Sequence, residues 1–160
     1  MSAPVYILGG YQSDFAKSWS RQGQDISDMV QEATQGVLEN ACLDTSAIES
    51  IHVGNAFGEL QRQQAHLGSM VAQMTPELWG VPAMRHEGAC ASSSLGVLAA
   101  MAEIEAGRYD CVLVLGVEDF KDAAFAEAVG DFGGGDAAAD GARRFLSEHR
   151  SRGGHHDGHG

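Results

Sequence analysis

Basic residues are scarce in this chain: ten Lys and Arg stand against 22 Asp and Glu, a formal net charge of −12. A surface for DNA or RNA needs clustered positive charge to neutralise phosphates, so no nucleic-acid partner is expected. Long apolar runs are missing as well. No stretch of about eighteen apolar residues occurs, so no membrane span is expected. The opening MSAPVYILGGYQSDF has neither a basic start nor a long apolar segment, and does not read as a secretory signal. Only three cysteines occur, Cys42, Cys90 and Cys111, odd in number and far apart. They form neither a CxxC pair nor a disulfide framework. A cytoplasmic, reducing compartment is the expectation.

What is present suffices for one domain with a real core: 160 residues, 44% hydrophobic and 20% charged. Over residues 1–120 short β-branched runs alternate with helical patterns. The runs are VYILGG (Val5–Gly10), SIHVGNAF (Ser50–Phe57), VPAMRHEG (Val81–Gly88) and CVLVLGVE (Cys111–Glu118). The last is nearly continuous in apolar residues, as for a parallel strand covered on both faces. Between the first two runs, Ile26, Met29, Val30, Ala33, Val37 and Leu38 recur at helical spacing, with Asp25 as N-cap and Asp28 in the first turn. A second helix is predicted between Gln64 and Met74, stopped before Pro76. A third begins near Cys90 and ends at Gly107, which supplies a left-handed cap. Its SLGVLAAMA segment is apolar nearly all round, which predicts a buried helix. The order βαβαβαβ predicts an α/β domain with a parallel-rich sheet and right-handed crossovers.

Residues 121–160 differ in kind. Seventeen of these 40 are Gly or Ala, and large apolar side chains are sparse. A short helix over 123–129 is the only element expected, and the rest is too poor in apolar surface to offset its ordering entropy. His155, His156 and His159 close the chain in RSRGGHHDGHG. His-rich tracts bind metal when a fixed element holds their geometry. No such element is predicted here, so no metal site is expected.

Chemistry concentrates in RHEGACASSSLGVL (Arg85–Leu98). A strand ending at Gly88 and a helix starting near Cys90 put this thiol at a helix N-terminus, where unpaired N–H groups and the helix dipole favour the thiolate. Gly88 and Ala89 leave room for a ligand, and the Cys90 N–H can serve as an oxyanion donor for a thioester carbonyl. Against this stands a packing reading, since free cysteines are among the most buried residue types. Cys42, after a surface helix, and Cys111, opening a strand, read as structural.

The segments VYILGGYQSDF, SIHVGNAFGEL, HLGSMVAQM and RHEGACASSSLGVLAAMAEIEAGRYDCVLVLGVE occur in an order that resembles the N-terminal half of the thiolase family. The similarity is to its acetyl-CoA acetyltransferases of the sterol-carrier-protein-thiolase type, over residues 4–119. The resemblance implies that Cys90 aligns with the family's nucleophile and takes an acyl group from a coenzyme A thioester, which is a substrate rather than a bound cofactor. A second, deprotonated acyl-CoA then attacks to give a 3-ketoacyl-CoA, and the reverse reaction is thiolysis. It implies a layered α/β fold of two similar halves, and assembly as a homo-oligomer or by pairing with another thiolase chain. Ketosynthase-like condensing enzymes share the fold and an ACSSS-like nucleophile motif; the VGN and HLG segments favour thiolase.

The family's remaining catalytic motifs, an HEAF-like His, a CxG-like Cys and an NxxGG-like Asn, do not occur in this sequence. His149, His155, His156 and His159 sit in no such setting. His52, His66 and His86 lie earlier and read as strand or loop packing, with His86 alone near enough to Cys90 to test. The chain is therefore expected to carry an incomplete thiolase N-terminal domain over 1–120. The tail over 121–160 is expected to be weakly docked or to come from a shifted reading frame, which translation of the other frames would check. Two other classes stay open: a non-catalytic half that binds a partner thiolase subunit, and a thiol redox protein, which the absence of a resolving cysteine near Cys90 disfavours. Cys42 stands where relatives commonly have Gly, so the end of the first helix is expected to be slightly strained.

Overall fold

The computed structural model describes residues 4–119. The chain divides into two units, Met1–Phe120 and Lys121–Gly160. The expectations for the tail, including its helix and its late histidines, lie outside the described residues.

Three parallel strands make the sheet, β1 (Ser50–Gly54), β2 (Ala83–His86) and β3 (Val112–Gly116), in the spatial order β2-β1-β3. Ile51 faces Ala83 on one side and Leu113 on the other, and Gly54 faces His86 and Gly116. All five residues of β1 are buried. The strand covered most fully is thus β1. Among the described residues the apolar run at β3 stands at an edge of the sheet instead, with Leu113 and Leu115 buried and Val112 and Val114 only half-buried. Continuous hydrophobicity reports burial, and neighbours decide which strand receives most of it.

Helix α1 (Ile26–Ala41) starts on the expected cap. The Asp25 carboxylate accepts from Ser27 N–H at 2.7 Å, while Asp28 accepts from Asp25 N–H at 2.8 Å. A short α2 (Gly58–Arg62) precedes α3 (Leu67–Met74), which ends before Pro76 as its sequence requires. Helix α4 (Ser92–Glu105) closes on left-handed Gly107, where Gly107 N–H bonds the Ile104 carbonyl and Arg108 N–H bonds that of Glu103. Helices α1 and α3 supply Ile26, Val30, Leu67, Met70 and Val71 to a core with Ile51, Val53, Leu113 and Leu115. The opposite face of β1 receives α4, whose buried residues are Ser92, Gly96 and Ala100.

Two expectations are corrected. Val5–Gly10 forms no strand. Gly10 N–H donates to Asn40 Oδ1 at 3.0 Å and the Tyr11 hydroxyl donates to Glu32 at 2.8 Å, so the segment is tied to α1, while Tyr6, Ile7 and Leu8 stay exposed. A strand exists only as one of a pair, and here the side-chain anchors hold this segment on a helix. Helix α4 is likewise not buried all round: Leu95, Val97, Leu98 and Met101 are exposed among the described residues. Its composition permits burial on every side, but only one face meets the sheet.

Candidate active site

Cys90 is exposed on a single 3-10 turn, Ala89–Ala91, that runs directly into α4. Ala89, immediately before it, has φ +49°, a left-handed conformation that residues with a Cβ seldom adopt. Such strain persists only where surrounding bonds over-determine it. Those bonds are present. The Ser92 hydroxyl donates to the Ala89 carbonyl at 2.7 Å and accepts from Gly88 N–H at 3.0 Å, while Glu87 accepts from Ala89 N–H at 2.8 Å.

Two strand-end glycines set the depth of this turn. A Cβ on Gly54 would lie 2.5 Å from Ser93 N and Cα, and one on Gly116 would strike the Ser93 hydroxyl. With both side chains absent, the first turn of α4 rests on the carboxyl ends of β1 and β3. Ligands of open α/β sheets bind outside those ends.

Polar side chains brace the same end of the sheet. Asn55, fully buried, donates to the Val117 carbonyl at 2.8 Å and accepts from Gly58 N–H at 2.8 Å. Glu118 accepts from Ala56 N–H at 2.8 Å, Phe57 N–H at 3.1 Å and Asn55 Nδ2 at 3.1 Å. Arg85 donates to the Asn55 and Ala56 carbonyls and pairs with Glu59, and Arg62 pairs with Asp119.

Beneath α4 lies a second polar group. His52 is fully buried; its Nδ1 lies 2.7 Å from His86 Nε2 and its Nε2 lies 2.9 Å from Glu103 Oε2. The rings stack with centroids 5.0 Å apart. Burial, then the neighbouring His52, hold the His86 imidazole below its ordinary value, with Glu103 opposing. Burial raises the Glu103 carboxyl, but hydrogen bonds from His52 and Ser50 outweigh it and the net shift is downward. His52 is thus packed in the interior and His86 half-buried beside it, and the packing reading of the two missed their bond. Glu103 was not singled out, although its spacing from Gly96 and Ala100 puts it on the inward face of α4.

The other candidates lie elsewhere. His66 is exposed at the start of α3. Cys42 caps α1 with φ +53°, the strained position foreseen for it, and is exposed. Cys111 is half-buried, and burial, then Glu49, raise its thiol. Among the described residues no three His, Cys, Asp or Glu side chains cluster as a metal site, and no helix is long and apolar enough to cross a membrane.

The described residues form a parallel α/β layer with an exposed cysteine at the head of a helix, above the strand ends. Family comparison agrees with it: the thiolase N-terminal domain matches residues 5–145, running past Phe120. The chain belongs to the thiolase family. It is 32% identical over 123 residues to an acetyl-CoA acetyltransferase of Methanothermobacter thermautotrophicus, covering 74% of this chain and 30% of that protein. It is 35% identical over 118 residues to an acetyl-CoA acetyltransferase of Methanocaldococcus jannaschii, covering 74% and 29%. A non-specific lipid-transfer protein-like 2 of Caenorhabditis elegans is 35% identical over 117 residues, covering 71% and 26%. The chain spans less than a third of the length of these relatives.

Proposed function

We propose that this chain performs the acyl-accepting step of thiolase chemistry, with a coenzyme A thioester as substrate and Cys90 as nucleophile. The observation that carries this reading is the exposed Cys90 on a strained, hydrogen-bonded turn at the head of α4. The Cys90 sulfur attacks the thioester carbonyl and gives up its proton to solvent. The carbon–sulfur bond to coenzyme A then breaks, and the departing thiolate takes a proton from solvent. Negative charge on the carbonyl oxygen develops near the positive end of α4, where backbone N–H groups favour it. Carbon–carbon bond formation further requires a base for the α-proton and donors for the enolate, and the motifs that serve those roles in the family do not occur in this sequence. General acid–base assistance alone is worth about 10²–10⁴-fold. The step that the residues of this sequence support is therefore acyl transfer onto sulfur.

The test is incubation of the full chain with acetyl-CoA, followed by mass spectrometry. An acetyl adduct on Cys90 that is lost in Cys90→Ser is the expected result. An unmodified Cys90, with the protein shown to be folded, overturns the reading.

A second reading is favoured by one observation, the exposed apolar face of α4 formed by Leu95, Val97, Leu98 and Met101. Contiguous apolar surface of this kind marks association. On this reading the chain pairs through α4 with another thiolase-like half, either a second copy or a partner subunit.

A further inference from the structure

The imidazoles of His52 and His86 stand on adjacent strands, on the face that α4 covers. Gly96 of α4 rests on both: a Cβ there would lie 3.5 Å from His52 Cβ and 3.7 Å from His86 Cδ2. Two polar rings in that position cost desolvation that an apolar pair would not. Their hydrogen bonds fix the protons. A carboxylate only accepts, so the 2.9 Å contact to Glu103 puts the His52 proton on Nε2. Nδ1 of a neutral His52 is then an acceptor, and the 2.7 Å contact puts the His86 proton on Nε2. Nδ1 of His86 is left with a lone pair, at the end of β2, four residues before Cys90.

We propose that Glu103, His52 and His86 are positioning residues, a hydrogen-bonded ladder that seats α4 and the Cys90 turn on the sheet and loosens them when the imidazole pair takes up protons. The first proton goes to His86 Nδ1 and leaves both ladder bonds intact, but it puts a positive charge beneath a helix. A second proton on the pair would set two N–H groups against each other across 2.7 Å and break the His52–His86 bond. The groups facing the pair are Ser50 from β1, Glu103 from α4 and the uncharged Val114 from β3, with Arg108 adding its charge near Glu103. Arg85, the neighbour of His86 on β2, is bonded to Asn55, Ala56 and Glu59 instead. Among the described residues Glu103 is thus the one counter-charge in contact with the pair. The consequence for catalysis rests on Cys90 being the acyl acceptor, whereas the ladder does not.

The sign follows from linkage. His86 is held below its ordinary value in the folded state, so the unfolded or opened chain binds more protons as pH falls through about 6.5. Seating of α4 is strongest above that pH and weakens as pH falls below it. Removing the Glu103 charge lowers His86 further and deepens the loss.

Hydrogen exchange on the full chain tests this without reference to acylation. Corrected for intrinsic rates, protection of the α4 amides from Gly96 to Ala100 should fall between pH 7.5 and 5.5, by at most about tenfold, the ceiling for one proton bound only in the opened state, while α1 stays level. In His86→Leu the α4 profile should be flat, and in Glu103→Gln the fall should be larger. Nitrogen-15 spectra of the wild-type histidines at pH 7.5 should show the Nε2–H form for both His52 and His86, a readout needing no variant. A flat wild-type profile, an unchanged fall in Glu103→Gln, or an Nδ1–H His52 overturns the proposal.

Discussion

Gly54 lies directly against Ser93: a Cβ on Gly54 would stand 2.5 Å from the Ser93 backbone N and Cα. Nothing flexible separates them, because the near atoms belong to the main chain of α4. The last residue of the central strand thus sets how closely the Cys90 turn approaches the sheet.

Gly54→Ala forces α4 outward. Overpacking of this kind costs about 1–3 kcal/mol. Urea denaturation should show a loss in that range, and acetyl transfer onto Cys90 should slow further than in a surface control such as Gly10→Ala, where an added Cβ meets nothing. A variant with unchanged denaturation midpoint and acylation rate would show that the contact relaxes freely.

Cys42 ends α1 with φ +53° and ψ +42°. An L-residue in this conformation carries about 1–2 kcal/mol of steric cost that glycine avoids, partly offset by the greater freedom of glycine in the unfolded chain. Cys42→Gly should raise stability by about 0.5–1 kcal/mol, read as an upward shift of the thermal midpoint. A lower midpoint would place the value of Cys42 in its side chain.

The segment before α1 is held by charge. Tyr11 donates to one Glu32 oxygen at 2.8 Å and Lys17 reaches the other at 3.0 Å. The Tyr11 bond, then Lys17, lower the Glu32 carboxyl, and the same Glu32 raises the Tyr11 phenol. Glu32 therefore contributes fully above its ordinary 4.5 and loses its contribution as pH falls below that value. Tyr11 contributes below its ordinary 10.0 and loses its contribution as pH rises through its raised value. Amide protection of Gly9 to Asp14 should be greatest between these limits and fall on both sides. Tyr11→Phe should reduce protection at neutral pH and remove the alkaline limb. Equal protection in both proteins would mean that Asn40 and the Lys17–Glu32 pair hold the segment without Tyr11.

Leu98 is 61% exposed on α4. Leu98→Glu should leave thermal stability within about 0.5 kcal/mol, as surface changes away from special features do. Sedimentation velocity should show the wild type as an assembly at micromolar concentration and the variant as a monomer. A monomeric wild type, with no partner half added, would remove self-pairing through this face.

How much of this was legible beforehand depends on how local the cause is. Asp25 and Asp28 cap α1, Gly107 ends α4 and Pro76 limits α3 because each works through its own backbone, within one turn. The three parallel runs at Ser50, Val81 and Cys111 were recognisable for the same reason. Val5–Gly10 reads as a strand by composition and is not one, since pairing needs a second strand that composition does not name. Cys90 was legible as a candidate because its turn, its small neighbours and the helix that follows are contiguous in sequence.

The sequence by itself determined the helix caps, the alternation of strands and helices, and the segment in which a cysteine heads a helix, while the exposure of that cysteine came from the structure; the former all follow from interactions between near neighbours. Only the tertiary structure decided that β1 rather than β3 is the most covered strand, that Gly54 and Gly116 let α4 descend onto the strand ends, and that His52, His86 and Glu103 meet in one hydrogen-bonded ladder. Those partners stand 34 and 51 residues apart along the chain. Separation of that size is closed by packing of the whole sheet against α4, and no local preference encodes it.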